Sequence, residues 1–118
     1  MILARCEAGD WTWISSEVVD LEINKTVDPE RRRRLQSLVS HARRSVIVGQ
    51  SETGRARQLE AWGFSAYDAL HLACAESGGA DILFTTDERL LRKAVAHVNQ
   101  LQTRVENPLT WLREEMAS

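Results

Sequence analysis

Two aspartates stand where an α/β chain can do chemistry. Asp68 falls in the first turn of an apolar helix within GFSAYDALHLACAES, and Asp87 follows the β-rich run Ile82–Thr86. In an open α/β sheet the carboxyl ends of strands and the neighbouring helix termini converge on one crevice, where ligands bind. Carboxylates delivered there suit a hard divalent cation, which takes oxygen ligands and keeps waters for reaction. Each acid also has a purely structural role open to it. A first-turn acid is favoured by the helix dipole, and an aspartate just before a helix is a good N-cap. For Asp87 the two roles are compatible, because a capping carboxylate has a second oxygen to offer. Asp81 opens the same strand and sits about 20 Å from Asp87 at roughly 3.3 Å per residue, so it is excluded.

A third acid is less sharply defined. Glu17, Asp20 and Glu22 share one short helix, and Glu22 is the one set among Val18, Val19, Leu21 and Ile23. Asn24 or Lys25 just beyond it could assist substrate phosphates. His71 lies three residues after Asp68 and therefore one turn along the same face. It reads either as a general base or, more in keeping with its neighbours Leu70, Leu72 and Ala73, as a packed histidine bonded to a nearby group. The tryptophans come from scattered elements and read as core or interface aromatics. No Gly-rich phosphate loop, His/Cys zinc spacing or nucleophile elbow occurs.

The elements that must position these residues follow from pattern. Met1–Ala8 has helical spacing stopped at Gly9. Trp11–Ser15 reads as a strand, and Ser16 caps a helix from Glu17 to about Lys25. Pro29 opens a helix through about Arg44 with Leu35, Leu38, Val39 and Ala42 inward. Ser45–Val48 is a short strand, and Ser51–Trp62 a helix ended by Gly63. Ser65 caps the helix bearing Asp68, which Gly78-Gly79 terminates. After Ile82–Thr86 come a helix over Glu88–His97, a short strand at Thr103–Glu106 and a closing helix at Pro108–Glu115. Alternating strands and helices predict an α/β, three-layer domain with a mostly parallel central sheet flanked by helices.

The 118 residues make one domain, 43% hydrophobic and 27% charged. No apolar run reaches the roughly 18 residues of a membrane span, and no signal peptide precedes the domain, so the expected location is cytoplasmic. Cys6 and Cys74 lack paired spacing and read as buried free thiols. The net charge of −2 gives no global sign of a nucleic-acid binder. Between Arg31 and Arg57, however, eight arginines accompany the single acid Glu52. Such a face either tracks a phosphate backbone or is simply solvated.

DALHLA from Asp68 and ADILFTTDERLL from Ala80 resemble the second half of the PIN-domain family, whose members include VapC-type toxin ribonucleases. VENPLTWL (Val105–Leu112) resembles the family's last strand and closing helix. SSEVVDLEI (Ser15–Ile23) resembles its second strand-to-helix segment, with the family's acid falling on Glu22. The resemblance runs from about Ile2 to Leu112. It implies a metal-dependent endoribonuclease, plausible as the toxin of a toxin–antitoxin pair, with Glu22, Asp68 and Asp87 as catalytic metal ligands for Mg²⁺ or Mn²⁺. Lys25, Arg31, Arg32 and Thr86 are then candidates for substrate contact. The expected partners are RNA, an antitoxin protein and a second copy in a homodimer, with no membrane. PIN domains open on a strand ending in an aspartate, and nothing before Glu7 supplies it. The expectation is a natural chain that begins upstream, and weak or no nuclease activity in the 118 residues alone. The alternative is a non-catalytic PIN-like module that binds RNA through its arginines or pairs with a protein. A phosphotransfer or phosphatase domain built on clustered aspartates is a third and remote reading, lacking a suitably placed lysine.

Overall fold

Ser16 decides where the first described helix begins. Extended at φ −151°, it accepts a hydrogen bond from Val19 N through its hydroxyl and turns strand β1 (Ile14–Ser16) directly into helix α1 (Glu17–Asn24). The structure, a computed structural model, describes residues 12–117. The helix expected at Met1–Ala8 and Trp11 lie outside them. The elements that follow are α2 (Pro29–Val39), β2 (Arg44–Val46), α3 (Gln50–Ala61), α4 (Ala66–Ser77), β3 (Ile82–Phe84), α5 (Glu88–Ala96), β4 (Arg104–Glu106) and α6 (Pro108–Ala117).

All described strand pairs are parallel, as alternation with helices requires. They form two ribbons, β1 with β2 and β3 with β4, where the sequence predicts one central sheet. Helix α4 packs on β1, β2 and β3 and so spans both ribbons. Gly78 permits that approach at its C-terminal end. A Cβ there would stand 2.9 Å from Val46 Cγ2 and 3.3 Å from Ile14 Cγ2.

The core lies between α3 and α4. Leu59 and Leu72 are fully buried, joined by Ala56, Phe64, Ala69, Ala73 and Leu90, with Leu83 and Val105 packed alongside. Burying the leucines and Phe64 supplies roughly 1.5–3 kcal/mol each, which fixes α4, and with it Asp68, against the strands. Phe84 adds an edge-on contact with Trp111 of α6, ring centroids 5.2 Å apart.

The arginine-rich helix differs from expectation. Its helical bonding stops at Val39, not near Arg44, because Arg43 N donates to Trp13 O at 2.8 Å and Arg44 joins the parallel ladder. None of its residues is buried, and Leu38, predicted inward, is 42% exposed. The helix packs mainly on α1, at the margin of the core. No described helix is long and apolar enough to cross a membrane.

Candidate active site

Ser65 sets the first of the two aspartates. Its hydroxyl accepts from Asp68 N at 3.2 Å, which starts α4 and fixes Asp68, half-buried, in the first turn. The second aspartate is set by β3. Thr85 N donates to Glu106 O at 3.0 Å, extending the ladder, while Thr85 Oγ1 accepts from Asp87 N at 3.1 Å. Asp87 then caps α5, its Oδ1 accepting from Arg89 N at 2.9 Å and Leu90 N at 3.3 Å. No described hydrogen bond ends on Oδ2. Asp68 and Asp87 line one open cleft of about 850 Å³ between the start of α4 and one face of α5.

Glu22 meets α4 one turn further on. Its Oε1 lies 2.9 Å from His71 Nε2, with the histidine side chain 18% exposed and the glutamate 47%. Residues at i and i+3 on a helix have Cβ atoms about 5–6 Å apart, so this contact sets Glu22 beside the Asp68 turn. Lys25 meets the same face of α4 one turn earlier, at Tyr67. Its Nζ donates to Tyr67 Oη at 2.5 Å and sits 5.3 Å from the Tyr67 ring centroid. That hydrogen bond, helped by the Glu22 carboxylate, raises the Lys25 pKa above its ordinary value.

The other expected contacts are dispersed. Arg31 is exposed on α2, and Arg32 Nη1 donates to Thr26 O at 3.3 Å; neither lines the cleft. Thr86 is exposed at the exit of β3, immediately before Asp87. The basic window does not act as one face, for Arg44 donates to Gly78 O at 2.7 Å and Arg55 is bound to Glu76 at 2.7 Å. The cations in the cleft come from α5 instead: Arg89, Arg92 and Lys93, followed by His97. Their spacing of i, i+3, i+4 and i+8 is a legible helical face, overlooked beside the denser arginine run upstream. Trp62 and Phe64 also converge on His97, each with ring centroids 5.7 Å away, although sequence places the three on separate elements.

The donor chemistry fits a hard cation. Mg²⁺ is commonly held by one or two carboxylates, with waters and substrate phosphate completing its shell, and Asp68 and Asp87 offer such a pair. A closed cage is not formed: among the described residues no group of three or more His, Cys, Asp or Glu gathers to hold a metal ion. The PIN-domain family model matches residues 3–96. The chain belongs to the PIN domain family. A nuclease-type function in general comes with that membership, and PIN domains generally use divalent metal ions. The match spans β1 through α5, the elements carrying Glu22, Asp68 and Asp87, and stops before the Val105–Leu112 tail. A search of curated proteins returns no match to the chain.

Proposed function

We propose that this PIN domain is a metal-dependent endoribonuclease using Mg²⁺ or Mn²⁺, and that it serves as the toxin of a toxin–antitoxin pair. One observation carries the nuclease reading: Asp68 and Asp87 line a single cleft, and neither has an ion-pair partner among the described residues. Carboxylates that no side-chain cation pairs are open to a hard divalent cation, which takes oxygen ligands. Asp68 and Asp87 would hold that cation, with Glu22 the third carboxylate, one turn away across His71. A cation bound there lowers the pKa of an attacking water and offsets charge developing on the phosphoryl oxygens. The protein's own part is placement. The Ser65 cap and the buried Leu72 face fix Asp68, and the Asp87 cap leaves Oδ2 turned to no other described partner.

The toxin role rests on the resemblance of DALHLA and ADILFTTDERLL to the PIN-domain family, whose members include VapC-type toxins. An antitoxin partner, a homodimer and a cytoplasmic location belong to the same proposal.

Cleavage of single-stranded RNA with Mn²⁺, read beside calorimetric Mn²⁺ titration, tests the reading. Asp68→Asn and Asp87→Asn should each abolish both signals. Cleavage that survives both substitutions, or persists in chelator, would overturn it. A second reading, a non-catalytic RNA-binding module, is favoured by Arg89, Arg92 and Lys93 lining the same cleft. RNA binding without any metal-dependent heat or cleavage would select that one.

A further inference from the structure

Helix α5 cannot turn freely. Asp87 Oδ1 caps it, Leu90 and Ala94 are buried along one face, and Lys93 Nζ donates to Gly63 O at 2.8 Å. Held this way, it presents Arg89 and Arg92 to the cleft that Asp68 and Asp87 also line. Both arginines are exposed, and their side chains make no hydrogen bond or ion pair with any described residue. The cleft therefore holds two carboxylates and two guanidiniums, and no ion pair joins the two sets within 4.0 Å among the described residues. Left unpaired, the two signs call for a ligand that answers both. A phosphodiester strand accompanied by a divalent cation does so, giving phosphate oxygens to the guanidiniums and the cation to the carboxylates.

We infer that the α5 face is the seat of a single-stranded nucleic-acid backbone, with Arg89 and Arg92 neutralising phosphates that flank the one presented to Asp68 and Asp87. Side chains at i and i+3 start about 5–6 Å apart, and two flexible arginine arms of that spacing can reach successive phosphates. A cleft of about 850 Å³ has room for a short run of one strand. Lys93 contributes charge from a fixed point, since its ammonium is held on the Gly63 carbonyl. This seat rests on the nuclease reading of the same cleft, so its test is built to separate the two.

The full 118-residue chain is titrated in chelator with a labelled single-stranded RNA, and with DNA of the same sequence, over a range of salt. Each phosphate contact to a single strand contributes about −0.7 to the slope of log K against log salt. Arg89→Ala with Arg92→Ala should flatten the slope by about 1.4 and weaken binding about tenfold or more at low salt. The loss should appear on both strand chemistries, because the phosphate is common to them. Arg89→Lys with Arg92→Lys should restore the slope. Arg104→Ala with Arg113→Ala, which removes two exposed arginines outside the cleft, should leave it unchanged. An unaltered slope in the α5 alanine variant, or an equal loss in the control, overturns the seat. Arginine-dependent binding with neither Mn²⁺ binding heat nor Mn²⁺-dependent cleavage removes the nuclease reading and leaves the seat standing. Cleavage by the α5 alanine variant at unchanged KM overturns the seat and leaves the nuclease.

Discussion

Glu22 Oε1 and His71 Nε2, 2.9 Å apart, join α1 to the face of α4 that carries Asp68. The contact orients a half-exposed carboxylate that would otherwise sample many rotamers, and it does so one turn from a proposed metal ligand. Groups that orient ligands typically change metal affinity about 10–100-fold when removed. His71→Ala should therefore raise the Mn²⁺ concentration for half-maximal cleavage about tenfold, with a smaller change in kcat at saturating metal. His71→Gln, whose amide can still donate to Glu22, should recover much of the loss. Mn²⁺ titration of the cleavage rate checks both. Equal metal dependence in wild type and His71→Ala would show that Glu22 does not serve the cation.

Asp87 carries two roles on separate oxygens, which two substitutions can divide. Oδ1 caps α5 through Arg89 N and Leu90 N. Asparagine caps about as well as aspartate, whereas alanine costs about 1 kcal/mol. Asp87→Asn should keep the thermal midpoint and lose cleavage, and Asp87→Ala should lose cleavage and about 1 kcal/mol of stability besides. Thermal unfolding beside the RNA assay reads the two losses apart. A fall in stability for Asn equal to that for Ala would mean that the carboxylate charge, not the cap, holds the helix end.

The separation between legible and illegible features follows the range of the forces involved. Ser16, Ser65 and Asp87 cap the helices that the sequence assigns to them, because a cap is decided within three or four residues. Asp68 and Asp87 come to one cleft because strand exits and helix starts share an edge of the fold. The arginine run misled for the opposite reason. Charge density along a chain carries no information about which guanidiniums will find carboxylates or carbonyls in space. Arg55 meets Glu76 and Arg44 meets Gly78, partners 21 and 34 residues away. The sparser Arg89 and Arg92, on a helix whose other face is buried, remain available to a ligand.

Glu76 is the hub of the contact that removes Arg55 from any substrate role. Its carboxylate, 4% exposed, takes Arg55 Nε at 2.7 Å and Gln102 N at 2.8 Å, while Arg55 Nη2 continues to Gln100 O at 2.6 Å. The guanidinium also lies 5.3 Å from the Trp62 ring centroid, so the network ties α3, α4 and the approach to β4 together. Removing one partner of a buried pair leaves the other charge without compensation and commonly costs about 3–5 kcal/mol. Since Arg55 retains some solvent contact, Glu76→Ala should cost about 3 kcal/mol, visible in urea unfolding. A loss under about 1 kcal/mol would mean the pair behaves as a surface salt bridge.

Cys74 gives the chain a titration that lies away from the cleft. Burial pushes its thiol pKa up, against a hydrogen bond with Ser16 that lowers it, and the Glu52 and Glu17 charges act in the same upward direction. The folded pKa thus stands above the unfolded one, near 8.5 for a free thiol. With that sign, the native state holds the proton longer than the unfolded chain. The associated stability is complete below the unfolded pKa and is lost as pH rises through the folded value. In a Cys6→Ser background, iodoacetamide should label Cys74 slowly at pH 8 and rapidly once urea unfolds the chain. Cys74→Ala should make the alkaline side of the stability profile flatter. Native labelling as fast as that of a free thiol would mean that Cys74 is not held in the interface between α4 and the start of α1.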